Sequence, residues 1–194
     1  MATRTTAERP TARERLLTAA NELFYEEGVH TVGIDRVIER AGVAKATLYS
    51  AYGSKDELIR AYLSVRHELR RRRLTEAVAR HDTPREQLLA VFDALGEAFA
   101  EPGYRGCAFA NASAEARPDS SITEVSDDVR RWVRELFTDL GTAAGAADPA
   151  QLAQQLVVLY DGAGLKARMD RDPGAAATAR GIAALLIDAA TAAH

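Results

Sequence analysis

Apolar positions recur along this chain at the spacing of one helix face, without the period-two alternation of strands. The sharpest block is Ile34, Val37, Ile38 and Ala41, at i, i+3, i+4 and i+7; Gly42 follows, a residue suited to the left-handed conformation that ends a helix. Val43 and Leu48 give the next segment an inward face, which predicts two short helices joined by a tight glycine turn. In such a pair the first helix braces the second. The outward residues of the second, Lys45, Ala46, Thr47, Tyr49 and Ser50, are then placed to enter a DNA major groove. The same pattern also fits an αα-hairpin inside an ordinary helical protein.

Around this pair, helices are predicted along the whole chain. Thr11 and Glu14 form a capping box for a first helix, whose buried stripe is Leu16, Ala19, Ala20, Leu23 and Phe24 and which ends at Gly28. Ser54 with Glu57 starts a long helix through Leu58, Ile59, Tyr62, Val65 and Leu69 to about His81, on the order of 40 Å at roughly 1.5 Å per residue. Capping residues before proline, at Thr83-Pro84, Asp148-Pro149 and Asp172-Pro173, mark three further helix starts. The first of these helices carries Leu88, Val91, Phe92, Leu95 and Phe99 and stops at Glu101-Pro102-Gly103. A short helix around Tyr104 to Ala116 precedes the loop Arg117 to Ser120. Ser121 with Glu124 caps a helix with the stripe Ile122, Val125, Val129, Trp132, Val133, Leu136, Phe137 and Leu140. Gly141 to Ala147 links it to two final helices rich in small residues, Pro149 to Met169 and Pro173 to Ala193; the run Asp161 to Gly164 is expected to thin or bend the first of them.

Composition narrows the function classes. The 194 residues suffice to bury a substantial core in one large domain or two small ones, and 47% hydrophobic with 27% charged residues fits a soluble helical protein. No apolar run approaches the roughly 20 residues that span a bilayer. Met1 to Glu8 lacks the apolar middle of a signal peptide, so a cytoplasmic protein with no membrane partner is expected. The single cysteine, Cys107, excludes an intramolecular disulfide and a multi-cysteine zinc site; it reads as a small buried hydrophobe, with redox sensing as the alternative if its thiolate is stabilised. His30, His67, His81 and His194 are scattered, and no nucleophile or phosphate-loop motif occurs, so no catalytic residue, metal or cofactor is expected.

A net charge of −3 argues against indiscriminate coating of nucleic acid. From Met1 to Gly53 seven cations (Arg4, Arg9, Arg13, Arg15, Arg36, Arg40, Lys45) meet seven acids (Glu8, Glu14, Glu22, Glu26, Glu27, Asp35, Glu39). Phosphate contacts there must come from locally placed cations, polar side chains and helix N-termini. The arm Met1 to Pro10, with Arg4 and Arg9, is expected to be disordered in solution and within reach of a minor groove or phosphates. The basic run Arg66 to Arg73 reads as a solvated helix face with partners such as Glu76 rather than as a DNA contact.

From Thr31 to Leu58 the chain carries Gly42-Val43, Thr47-Leu48-Tyr49, a second aromatic at Tyr52 and Ser54-Lys55-Asp56-Glu57-Leu58 in register. That stretch resembles the DNA-binding signature of the tetracycline-repressor (TetR) family of bacterial regulators. The resemblance implies an all-α protein, with a three-helix helix-turn-helix domain over 1–53 and a helical ligand-binding and dimerisation domain over 54–194, in which 54–81 is the connecting helix. It places Lys45 and Thr47 at base edges or adjacent phosphates, Ser50 on the same outward face, and Tyr49, Tyr52 and Lys55 on phosphates. Tyr52 also fits a core position, and Leu48 is core. Gly33 and Ala44 stand where the family often has a hydroxyl residue, and Ala51 where many members have histidine, which removes possible phosphate contacts.

The segment Arg105 to Glu115 resembles a stretch common in one subgroup of that family, where it contributes to the ligand-binding half. The implied cavity is lined by Phe92, Phe99, Phe109, Trp132 and Tyr160, with Asn111 and Asp161 as orienting polar groups; each aromatic also fits plain core. The implied partners are an operator in double-stranded DNA, a small, mostly apolar effector and a second copy of the chain. That copy would meet this one through the last two helices, whose small residues allow close approach. The expected function is a ligand-responsive transcriptional regulator, a repressor released from a palindromic operator by its effector. The alternative, favoured by the neutral head, is a helical small-molecule-binding or carrier protein without DNA binding.

Overall fold

Capping side chains set most of the helix starts in the computed structural model, which describes residues 9–114, 116 and 120–192. Among these residues every regular element is an α-helix: α1 (Ala12–Glu27), α2 (Ile34–Ala41), α3 (Lys45–Tyr52), α4 (Lys55–Val78), α5 (Pro84–Phe99), α6 (Ala108–Ser113), α7 (Ser121–Ala143), α8 (Pro149–Met169) and α9 (Ala175–Thr191). The Thr11 capping box forms as expected, and the side chains of Ser54, Thr83 and Asp148 accept from the backbone N–H three residues on. Arg4 and the rest of the arm before Arg9, Glu115, Arg117 to Asp119, Ala193 and His194 lie outside the described residues.

Four boundaries differ from expectation. The cap of α7 is Ser120, not Ser121: its hydroxyl accepts from the Thr123 N–H. α7 runs through Gly141 to Ala143, and a Cβ added at Gly141 would lie 3.5 Å from Leu152 and 3.7 Å from Pro149, so the small residue admits α8. α6 is shorter than the predicted Tyr104 to Ala116 because Gly106 takes φ +89° just before it. Pro173 sits in a turn rather than at the first position of α9, since the Asp172 carboxylate accepts from the Gly174 N–H at 2.8 Å.

The chain divides into two compact units, Met1–Leu63 and Ser64–His194, with the division inside α4. In the first unit Leu16, Ala20, Leu23 and Phe24 of α1 are buried together with Val37 and Ala41 of α2, Leu48 and Tyr52 of α3, and Leu58, Ile59 and Tyr62 of α4. Phe24 and Tyr62 meet edge to face at 5.7 Å. Gly42, at φ 62° and ψ 44°, turns the chain between α2 and α3, and the N–H groups of Gly42 and Val43 each return to carbonyls of the last turn of α2 at 3.1 Å.

In the second unit the core lies among α5, α7, α8 and α9. Phe137 is its centre, with ring centroids 5.9 Å from Phe92 and 6.1 Å from Tyr160. Seven alanines of the last two helices face this core: Ala153, Ala163 and Ala167 of α8 and Ala175, Ala176, Ala179 and Ala183 of α9 are buried. Ala176 packs so close to α5 that a Cβ at Gly96 would stand 3.5 Å from its own. These alanines serve the protomer interior, while Gly162 of α8 and Ala177, Gly181 and Ala189 of α9 remain on the exposed side. Val158, Leu165 and Met169 of α8 and Ile182 and Leu185 of α9 stay exposed too. No helix among the described residues is long and apolar enough to cross a membrane.

Candidate nucleic-acid interface

α3 is anchored by Leu48, fully buried, and by Tyr52, 8% exposed, so helical periodicity turns Lys45, Ala46, Tyr49 and Ser50 outward, with Thr47 half-buried at the edge of that face. Neither Gly33 nor Ala44, the N-cap residues of α2 and α3, offers a side-chain acceptor to the first turn of its helix. First-turn N–H groups of this kind carry the positive end of the helix dipole and suit phosphate oxygens.

Tyr52 is placed differently from its expected phosphate role. Its hydroxyl donates to the Arg13 carbonyl at 2.9 Å, the Arg13 guanidinium lies 4.3 Å over its ring, and that guanidinium also donates to the Ala51 carbonyl. The residue is a strut between α1 and α3. Arg15 likewise turns back to the Ala41 carbonyl at 3.1 Å and the Pro10 carbonyl at 3.0 Å. Arg36 and Arg40 pair with Glu27 and Glu22 of α1. Lys45 Nζ donates to Asp35 Oδ1 at 3.0 Å, and that carboxylate, by hydrogen bond and charge, holds the ammonium above the ordinary lysine pKa. Lys55, half-buried at the start of α4, is drawn below it by burial, against the charge of Asp56.

The residues expected to line an effector cavity are partly dispersed. Phe92 is fully buried against Phe137, Phe99 packs on Tyr104 at 5.0 Å, and Tyr160 closes on Phe137, so these rings fill the space between their helices. Asn111 donates to the Arg105 carbonyl at 3.1 Å and accepts from Arg168, which makes it a clamp between α6 and α8. Gly106 belongs to the same clamp, because a Cβ there would fall 2.6 Å from Arg168 Cδ. Asp161 is exposed and pairs with Arg130 at 3.1 Å. Both polar side chains are thus engaged by protein partners. A concavity of about 220 Å³ opens between Phe99, Tyr104, Ala167, Arg168 and Pro173, below the roughly 300–1,000 Å³ of typical ligand pockets.

The basic run of α4 is not uniformly solvated. Arg73 pairs with Glu101 rather than Glu76, and Arg71 lies 5.4 Å over Trp132, whose ring His67 meets edge-on at 5.9 Å. Arg70 turns inward: Nη2 donates to Cys107 Sγ at 3.3 Å, and its guanidinium lies 4.9 Å from the Phe109 ring. Spacing could have found it, since Arg70, Leu74 and Ala77 share one helix face and the latter two are buried. Burial pushes the Cys107 thiol up, but the charge and hydrogen bond of Arg70, with the N–H groups of Ala110 and Phe109, bring it below the ordinary thiol value. The rate of iodoacetamide alkylation of Cys107 should therefore rise with a midpoint below the usual thiol range. Arg70→Met, which leaves burial unopposed by that cation, should move the midpoint to higher pH. An unshifted profile in that variant would remove Arg70 as the cause. Among the described residues no three His, Cys, Asp or Glu gather as a metal site.

A family model described as bacterial regulatory proteins, tetR family, matches residues 16–62, and one described as the tetracyclin repressor-like C-terminal domain matches residues 83–183. The crystal structure of a TetR-family transcriptional regulator from Streptomyces coelicolor is 34% identical, covers 93% of this chain and 96% of its own, and superposes with a TM-score of 0.88. The HTH-type transcriptional repressor NemR of Escherichia coli is 26% identical over 175 residues, 82% of this chain and 85% of that protein. The HTH-type transcriptional activator FasR of Mycolicibacterium smegmatis is 47% identical over 51 residues, 26% of this chain and 23% of FasR. The chain thus spans less than a quarter of FasR's length. These three relatives are transcriptional regulators; NemR is named a repressor and FasR an activator.

Proposed function

The chain belongs to the TetR family of bacterial transcriptional regulators, with a DNA-binding helix-turn-helix head, and from that premise we propose that it acts as a homodimeric repressor on a palindromic operator and is released by a small, mostly apolar effector. Repression is the direction named for NemR, the relative matched over most of its length. The observation that carries the DNA assignment is the outer face of α3, where Lys45, Tyr49 and Ser50 are exposed with Thr47 at their edge while Leu48 and Tyr52 hold the helix from behind. In this reading Lys45 and Thr47 meet base edges or the nearest phosphates, Tyr49, Ser50 and Lys55 donate to phosphates, and Tyr52 acts only by positioning α3.

Dimerisation is supported by the apolar residues that the second unit leaves in solvent. Val158 and Met169 are 71% and 72% exposed on one face of α8, and Leu185 is 71% exposed on α9, large side chains that a second copy would withdraw from water. The two recognition helices of a dimer would then address half-sites about one DNA turn, roughly 34 Å, or a small multiple of it apart. Effector release requires that the ligand bind the DNA-incompetent arrangement more tightly. DNA must then weaken ligand affinity by the same factor, roughly 2.7 kcal/mol for a hundredfold coupling. The helix α4, begun in the head and continued beyond Leu63, is the element through which that coupling would pass. Phe99, Phe109, Trp132 and Tyr160 are the side chains around which a pocket would open.

Titration of a labelled duplex spanning the DNA beside its own gene tests the reading, with Thr47→Ala and Lys55→Ala as the informative variants. Lys55→Ala should weaken all sequences alike and reduce the salt slope by about 0.9, one phosphate's worth, per protomer. Thr47→Ala should instead change preference among operator variants. Uniform losses from both substitutions would refute the division of roles, and absence of sequence-selective binding by the unaltered protein would favour the carrier reading.

A further inference from the structure

We propose that Asp35 is a specificity-determining residue of the DNA interface, an acid that withholds Lys45 from phosphates and so weakens binding to DNA without operator sequence. The proposal rests on the assignment of α3 to the major groove. Asp35 is the second residue of α2 and Lys45 the first of α3, so their 3.0 Å contact spans the Gly42 turn at the edge of the outward face. The side chains are 80% and 56% exposed, which leaves the pair open to an approaching duplex. The acids that hold the α2 cations Arg36 and Arg40, Glu27 and Glu22, lie on α1 and brace α2 against it. Asp35 instead reaches forward, to the cation that begins the proposed recognition helix.

Binding to arbitrary DNA draws essentially all its strength from cations that replace condensed counterions, and a lysine already neutralised by a carboxylate contributes little to that release. An exposed pair of this kind is weak in itself, so its consequence for stability is small while its consequence for a polyanion is not. A duplex that recruits Lys45 to its phosphates must separate it from Asp35 and leave a carboxylate among them. Operator DNA is held mainly by base contacts along α3, which Lys45 can join with its remaining N–H groups while still paired to Asp35, whereas other DNA has only cation–phosphate contacts to draw on, so the loss of the withheld charge falls mainly on the wrong complex. Such an arrangement raises discrimination by making the wrong complex less favourable rather than the right one more favourable. Asp35 thus works through Lys45 and through its own charge, as a positioning and repelling group.

The test uses the full chain, a labelled duplex spanning the DNA beside its gene and a scrambled duplex of the same length and composition, titrated by anisotropy between 50 and 200 mM salt. Asp35→Asn keeps the shape and removes the charge. It should strengthen binding to the scrambled duplex and make its fall over that salt range steeper by about tenfold for a dimer, as expected for ~0.9 counterion gained in each protomer. Binding to the flanking duplex should change less, so that the ratio between the two narrows. Lys45→Met added to Asp35→Asn should abolish both gains, because the cation that was freed is gone. Unchanged salt slopes in Asp35→Asn, or gains that survive Lys45→Met, would overturn the role of Asp35 while leaving DNA binding intact. If the unaltered protein binds both duplexes equally, the operator reading falls and this one with it.

Discussion

Val158→Glu combined with Leu185→Glu is expected to convert the protein into a folded monomer whose affinity for operator DNA falls by roughly a hundredfold or more. Both side chains are 71% exposed in the protomer, so the new carboxylates remain hydrated there and should change its stability by no more than about 0.5 kcal/mol. In a two-fold dimer joined through α8 and α9 the same substitutions place four like charges in one interface. Each carboxylate withdrawn from water without a partner costs several kcal/mol, enough to dissociate a complex of ordinary affinity. A monomer then reaches one half-site and loses the second set of contacts that supports specific affinities of about 10⁻⁸ to 10⁻¹¹ M. Light scattering and circular dichroism read the two consequences, halved mass and retained helix content. A variant that remains dimeric would place the interface elsewhere, and a monomeric variant with undiminished operator affinity would contradict the palindromic reading.

Phe137→Ala should lower the stability of the second unit by about 3–5 kcal/mol, roughly a fifth or more of what a domain of ordinary stability possesses. Phe137 is fully buried and touches both Phe92 and Tyr160, whose positions on α5 and α8 are held by their own helices. The vacated volume therefore cannot collapse easily, and the lost ring contacts add to the lost transfer free energy. For a chain of this size the corresponding drop in Tm is about 10 °C. Trp132, the only tryptophan, lies on α7 in the same unit, so its fluorescence reports the relevant transition. Phe137→Leu, which retains most of the volume, should lose far less. A Phe137→Ala protein that melts within a degree or two of the parent would show that the cluster is loosely packed.

Within the DNA head the signals that set the helices are local. Gly42, the spacing of Ile34, Val37, Ile38 and Ala41, and the caps at Thr11 and Ser54 act within one or two turns, and the helices form where those residues stand. Tyr52 was harder. Its periodicity indicated an inward side chain, but the donor role of its hydroxyl depended on Arg13, which lies in α1 at a sequence separation of 39. The charge count foresaw a neutral head. It could not foresee that the neutrality is arranged in pairs, with Arg36 and Arg40 bound back to α1 and Lys45 bound to Asp35.

By itself the sequence determined the helical class, the order of the elements and most of their starts and stops, since capping, proline and glycine effects and the 3.6-residue period are settled among residues a few positions apart. It also carried the family resemblance of the head. Only the tertiary structure decided which side of α8 and α9 is interior. Alanines and large apolar residues are both hydrophobic in a pattern, yet folding buries Ala153, Ala163 and Ala167 of α8 and, where α9 meets α5 at Gly96, Ala176 with its neighbours, and leaves Val158, Leu165, Met169 and Leu185 in solvent. The same holds for Arg70, Asn111 and Asp161, whose partners Cys107, Arg168 and Arg130 lie 31 to 57 positions away. A polar side chain is satisfied by whatever donor or acceptor folding brings within about 3 Å, and no local rule of spacing specifies that neighbour.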